Sequence, residues 1–342
     1  MGNLLYNKSS VAEWETVLQS EIWEFSKERC DIVPALALSY IHLPSHLKVC
    51  FAYCALFPKD YEFKKEHLMP LWMTENLLHY PTEEVCQQYF DDLLSRSFFQ
   101  QSGKKEETYV LNDFAKYVGG GIYFRWEVGQ TEKIQKVTRH FSVELGYNQY
   151  FDGFGTSCNT ERLHTFMPIG CLNISMSIYE LFSKFKFLRI LSFAGCSDIR
   201  KVPDSVSNLE HLRSLDHSLK RVPPHLGKLK NLKVVMNSFS VGRGTEFSIQ
   251  RLGELNLDGS LSIGELQNIE NSLDALEANL KNKTHLVKLN LEWNWWRNDN
   301  STDSKKDEDV IENLQPFKIL KELSIFEKLG DIKIKTGCRM FS

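Results

Sequence analysis

From Leu188 onward, apolar residues return at a spacing that leaves few folds open. Leu188, Leu191, Phe193, Cys196, Ile199, Val202, Val206, Leu209 and Leu212 fall where a short strand, a turn and a return segment each need an inward side chain. The strand position recurs at Leu191, Leu215, Val235, Leu261, Leu289 and Leu323, at separations of 24, 20, 26, 28 and 34 residues. Units this short cannot bury an apolar face alone, so neighbours must stack. The pattern predicts irregular leucine-rich repeats over 184–326. In such a strand the residues between the leucines point to the concave face, which makes Ile190, Ser192, Ala194, Lys288, Asn290, Glu292, Glu322, Ser324 and Phe326 a candidate recognition surface. Trp293, Trp295 and Trp296 crowd beyond one strand. Exposed tryptophan is a common binding anchor, whereas Trp293 packed beneath the following insertion is the alternative; both stay open.

Three irregularities mark this region. Leu212 to Val222 takes ten steps where Leu188 to Val202 takes fourteen, and His217 falls at a position expected to be apolar and buried. A deletion that damages one strand, or joins two repeats, would produce this. Asp299 to Asp309, dense in Asp, Lys and Ser, reads as a solvated insertion. After Ile325 the pattern stops, and 327–342 offers no capping repeat with a polar outer face, so the array is expected to be truncated.

The first third reads differently. Leu47, Cys50 or Phe51, and Cys54 recur at helical steps, with Ser45 as the expected N-cap and Pro58 as the stop. Lys64 to Leu78 carries a second stripe of Leu68, Leu71, Trp72, Glu75 and Leu78. Glu83 to Phe99 gives a third helix, with Val85, Tyr89, Leu93 and Leu94 inward and Asp91 and Asp92 outward. Ser97 to Gln100 and Thr108 to Leu111 then flank a polar loop as a hairpin would.

The spelling of this stretch resembles the winged-helix subdomain of the NB-ARC module in plant intracellular immune receptors of the coiled-coil, nucleotide-binding, leucine-rich-repeat family. The carriers are Leu38-Ser39-Tyr40, Leu43-Pro44, Leu47-Lys48, Cys50-Phe51-Ala52-Tyr53-Cys54, Phe57-Pro58-Lys59-Asp60 and Leu71-Trp72-Met73. The resemblance implies an α+β multidomain protein: a mainly α winged-helix domain over 31–118, followed by an irregular leucine-rich-repeat α/β solenoid. Residues 1–30 would be the remnant of the preceding helical subdomain, so the chain is expected to begin in mid-domain. Residues 119–183 would be a connector, with short β-like runs at Thr138–Val143 and Leu163–Met167 and an exposed loop at Gly153–Phe154–Gly155.

Family members are nucleotide-controlled switches whose repeats restrain the ADP-bound state and sense pathogen effectors or guarded host proteins. The sequence carries no GxxxxGK[ST] cradle: Gly103-Lys104 runs into Lys105, and Gly227-Lys228 into Leu229. The family's Met-His-Asp motif, whose histidine touches ADP, has no counterpart where Tyr109-Val110-Leu111-Asn112-Asp113-Phe114-Ala115 stands. Asn112 and Asp113 are then a remnant beside the lost motif, with helix N-capping as their structural role. The expectation is that ADP or ATP binds full-length relatives and no cofactor binds this chain. It would act through protein partners, full-length relatives among them, as a truncated protein or decoy, or it is the product of a decayed gene or incomplete gene model.

Composition narrows the rivals. The 342 residues carry a formal charge of −3, which calls for neither nucleic acid nor an anionic membrane. Eight scattered cysteines suit a reduced, cytoplasmic compartment, and neither a signal peptide nor a run of eighteen apolar residues is present. His46, Cys50 and Cys54 share a helical face, but one helix spreads them over about 12 Å, too far for one metal ion. A winged helix can read DNA, yet Glu83, Glu84, Asp91 and Asp92 against a single Arg96 repel phosphate, so a nucleic-acid-binding winged helix with an interaction tail is the lesser alternative. No GxSxG or HExxH run supports an enzyme.

Overall fold

The computed structural model describes residues 34–80, 82–103, 107–111, 114–129, 133–146, 151, 154, 159–170, 178–193, 204–217, 226–235, 238–243, 248–293, 304–317, 320–327 and 330–334. The chain divides into two compact units, Met1–Glu144 and Leu145–Ser342.

In the first unit, helices α1 (Pro34–Ile41) and α2 (Ser45–Tyr53) are followed by a 3-10 turn at Cys54–Leu56, strand β1 (Glu62–Lys64) and helices α3 (Lys65–Thr74) and α4 (Glu83–Ser95). Strands β2 (Phe99–Gln101) and β3 (Thr108–Leu111), helix α5 (Phe114–Gly119) and strands β4 (Tyr123–Glu127) and β5 (His140–Leu145) complete it. Extended Pro44 occupies the cap position of α2 and Ser45 is already helical, so the expected serine cap is absent. α3 stops at Thr74 rather than Leu78 because Asn76 turns left-handed (φ 56°), letting the Leu77 amide bond the Trp72 carbonyl at 3.0 Å. α4 ends the same way: Ser97 is left-handed (φ 65°) and the Phe98 amide bonds the Leu93 carbonyl at 3.0 Å. Its N-terminus is capped by the Thr82 hydroxyl, which accepts from the Val85 amide at 3.3 Å. The buried face of α4 is Cys86, Tyr89, Phe90 and Leu93; Val85 and Leu94 are only half-buried.

The expected hairpin is present as antiparallel β2 and β3, pairing Phe99 with Leu111. β1, too short to show in the sequence, adds to its far side with Phe63 opposite Tyr109. Around Phe99 the core closes from α4, β1, α3 and α2: Phe90 at 5.1 Å, Phe63 at 5.5 Å, Trp72 at 6.3 Å and Phe51 at 6.4 Å between ring centres. Part of the expected connector is ordered onto this unit as the parallel pair β4 and β5. Buried Arg125 donates to the carbonyls of Ala55 (3.2 Å) and Phe57, and the Ser142 hydroxyl to that of Leu56 (2.6 Å). Gly119 lets α5 meet the same turn, since a Cβ there would lie 2.7 Å from that of Ala55.

The second unit alternates strands with short turns. It contains β6 (Thr165–Gly170), α6 (Ile178–Lys184), β7 (Ile190–Phe193), β8 (Ser214–His217), β9 (Val234–Val235), β10 (Ser238–Ser240), β11 (Gly259–Gly264), α7 (Asp274–Glu277), β12 (Leu286–Glu292), α8 (Ser304–Leu314), β13 (Glu322–Glu327) and β14 (Gly330–Ile334). β6 to β9 are parallel, with Phe166, Leu191, Leu215 and Val235 in register. β10 to β13 are likewise parallel, with Leu261, Leu289 and Leu323 in register. 3-10 turns at Asp204–Asn208, Leu226–Lys228 and Ile249–Glu254 make the return segments. Gly253 permits a close approach of the last of these turns to α7, because a Cβ there would sit 2.2 Å from the Glu277 carbonyl oxygen.

Four expectations change. β8 is not damaged: it pairs with β7 over four residues, His217 opposite Phe193, because backbone hydrogen bonds rather than side chains hold the ladder. Phe154 is buried, not in an exposed loop, because Phe151 (5.2 Å), Phe185 (5.9 Å) and Phe166 (6.0 Å) surround its ring. The charged insertion is helical in its second half, with Val310 and Leu314 buried. β13 does not end the sheet, since β14 pairs antiparallel with it from Leu323–Ile334 to Glu327–Gly330.

Candidate interaction surface

β12 shows why one face of the second sheet is apolar and the other polar. Side chains alternate along a strand, so Leu289 and Leu291 are buried while Lys288, Asn290 and Glu292 stand on the opposite face, half-buried. The register carries this across the sheet. Ser260, Lys288 and Glu322 form one rung; Ser262, Asn290 and Ser324 the next; Glu292 and Phe326 the third, continued on β10 and β11 by Ser240 and Gly264. Lys288 Nζ lies 3.7 Å from the Glu322 carboxylate, and the Ser262 hydroxyl donates to Glu292 Oε1 at 3.1 Å.

Of the predicted surface, Lys288, Asn290, Glu292, Glu322 and Phe326 share this face and reach solvent in part. Ser324 shares it but is closed off, between the Asn290 rung and β14. Ile190 and Ser192 are also fully buried: β7 is an apolar run buried on both faces, as strands inside parallel sheets commonly are. Trp293 takes the second of its two alternatives. Its ring is buried, and Nε1 donates to Asp307 on α8 at 3.0 Å, because a closed-in indole N–H needs an acceptor. Ala194, Trp295, Trp296, Asn112 and Asp113 lie outside the described residues. Ser240, Ser260, Ser262 and Gly264 were missed, although Ser260, Ser262 and Gly264 alternate with Leu261 and Ile263 in the sequence and Ser240 follows Phe239.

Behind the sheet, Lys283 is buried and donates to the carbonyls of Leu252 (2.7 Å) and Leu255 (2.6 Å), tying one return turn to the next; burial pushes its ammonium down to about 8. In the first unit, Cys50, Cys54 and Cys86 are buried free thiols. Burial raises all three, Cys86 to about 12, which holds them as neutral thiols rather than the thiolates that ligate metals. His46 stacks on Tyr89 at 4.5 Å, and burial together with His79 lowers its pKa. The solvent face of α4 carries Glu83, Glu84 and Asp91, which gives phosphate no purchase there.

The geometry defines a winged helix in one unit and parallel leucine-rich strands in the other. Comparison with known proteins finds the same pair: the family profile of the disease resistance protein winged helix domain matches residues 56–116, and that of the R13L1/DRL21 leucine-rich repeats matches residues 249–333. The chain is 29% identical to a disease resistance RPP13-like protein 1 of Arabidopsis thaliana, over 95% of its own length and 37% of that protein's. It is 30% identical to disease resistance protein RGA2 and 32% identical to RGA4, both of Solanum bulbocastanum, over 95% of its length and 37% and 36% of theirs. The chain thus carries the winged-helix and leucine-rich-repeat segments of plant disease resistance proteins, and it spans a little over a third of the length of the curated relatives it matches. These relatives are named for disease resistance and for no enzymatic activity. No helix among the described residues is long and apolar enough to cross a membrane.

Proposed function

We propose that this chain is the recognition part of a plant defence receptor: its parallel strands stack as an irregular leucine-rich solenoid whose polar rungs contact a protein. The carrying observation is the alternation in β11, β12 and β13, where leucines hold the stack together and the residues between them leave a continuous polar face. The protein recognised is a pathogen effector, a guarded host protein or a full-length relative, met in the cytoplasm. Neither catalysis nor adenine-nucleotide binding resides in this chain, consistent with the missing phosphate cradle. The alignment to the RPP13-like protein spans 397 positions, more than the 342 residues of the chain, which fits deleted segments such as the Met-His-Asp run.

Reversing charge at Lys288, Glu292 and Glu322 together should abolish co-precipitation of the plant proteins recovered with the unaltered chain, with the melting temperature unchanged. An unchanged set of recovered proteins overturns the reading. Calorimetry with ADP and magnesium should show no heat of binding; stoichiometric uptake sinks the nucleotide-free part.

A further inference from the structure

Glu292 is an acidic group on the polar face of the second sheet that the fold holds in place without a cation partner among the described residues. Glu322, two rungs back on the neighbouring strand, has Lys288 at 3.7 Å. No cation lies within ion-pair distance of Glu292 among the described residues, yet its carboxylate is not loose, since Oε1 accepts from the Ser262 hydroxyl at 3.1 Å. That bond draws the side chain over β11, where the opposing residue is Gly264. A Cβ built on Gly264 would lie 3.8 Å from Glu292 Oε2 and 3.9 Å from Ser240 Oγ. The missing side chain thus leaves a methyl-sized notch over the buried Gly264 backbone, bordered by a carboxylate oxygen and a hydroxyl oxygen. On the opposite side of Glu292 along the same rung stands Phe326, half-buried and the only aromatic among the described outward residues of this sheet.

Building on the proposed role of this face in recognition, we infer that the rung Ser240–Gly264–Glu292–Phe326 receives a basic side chain of the protein partner, arginine in preference to lysine. Charge complementarity supplies the first reason, because a preoriented carboxylate with one oxygen unused attracts a cation and rejects an acid. Shape supplies the second. A planar guanidinium can donate to Glu292 Oε2 and Ser240 Oγ together, while its flat face tolerates the ring of Phe326; a lysine ammonium satisfies the carboxylate alone. Asn290 and the flanking serines then meet the partner's backbone, whose amides and carbonyls match their short polar groups.

The test uses a phage-displayed library of random 12-residue peptides selected in parallel on the full chain and on its Glu292→Gln variant, with hydrogen exchange locating the bound peptides. Enrichment of arginine at one fixed position is expected, together with protection of β10 to β13 and binding about tenfold weaker to Glu292→Gln, as for loss of one charge-assisted hydrogen bond. Glu292→Arg should in turn select peptides carrying Asp or Glu at that position. Peptides that protect the same strands without an arginine preference, and bind Glu292→Gln equally, overturn the notch and leave the recognition surface standing. A selection yielding no peptide that protects β10 to β13 overturns both. Glutamine is isosteric and the position half-exposed, so an unchanged melting temperature confirms that the variant is folded.

Discussion

Phe99 and Leu289 are both closed to solvent, but they are buried by opposite plans. Phe99 is enclosed by aromatic rings from α2, α3, α4 and β1, elements spread over almost fifty residues of sequence. Leu289 sits in a ladder between Leu261 and Leu323, one repeat to each side. In the winged helix rings from several elements close a single core; in the repeats each leucine answers chiefly to its neighbours. The difference teaches why the second unit tolerates a shortened repeat and a charged insertion, whereas the first preserves the spelling by which it can be recognised.

Three measurements would sharpen or break that comparison. The largest effect is expected for Phe99→Ala, which should lose about 3–5 kcal/mol of winged-helix stability in denaturant unfolding and melt that unit as a whole. A loss below about 1 kcal/mol would mean that the rings do not form one core. Leu289→Ala comes next, at about 2–4 kcal/mol, with amide protection falling in β11, β12 and β13 while α2 to α4 keep theirs. Equal loss of protection in the winged helix would erase the contrast between the units.

The smallest effect concerns Lys283. Lys283→Met should cost about 1–2 kcal/mol by leaving the Leu252 and Leu255 carbonyls without their donor. It also carries a pH signature. The folded ammonium titrates near 8 and the unfolded one near 10.5, so between those values the unfolded chain binds more protons and rising pH stabilises the fold through this group. Below pH 8 both states are protonated and the contribution is flat. In the Met variant the rise from pH 8 to 10.5 should vanish from thermal melts; a rise that persists assigns it to another residue.

The sequence was readable where one side-chain period dominates. The six apolar marks from Leu191 to Leu323 all lie on parallel strands, in two registered triplets of separate sheets, because period-two burial and a recurring repeat reinforce each other. It was unreadable where the decisive event is a backbone dihedral or a distant neighbour. Asn76 and Ser97 stop their helices by turning left-handed, which neither residue's type demanded. The burial of Ile190 and Ser192 depends on what lies over both faces of β7, information that alternation along one strand does not hold. For Trp293, the partner that decides between anchor and packing is Asp307, fourteen residues on and inside a segment that composition marks as solvated.

Strand β14 has a consequence for how such a chain behaves in a crowded cell. β13 is six residues long, and a straight strand of that length with a bare rim is a template on which other chains polymerise edge to edge. By folding back along it over Gly330–Ile334, the chain fills that rim with its own backbone hydrogen bonds, so an incoming strand finds the place on β13 already taken.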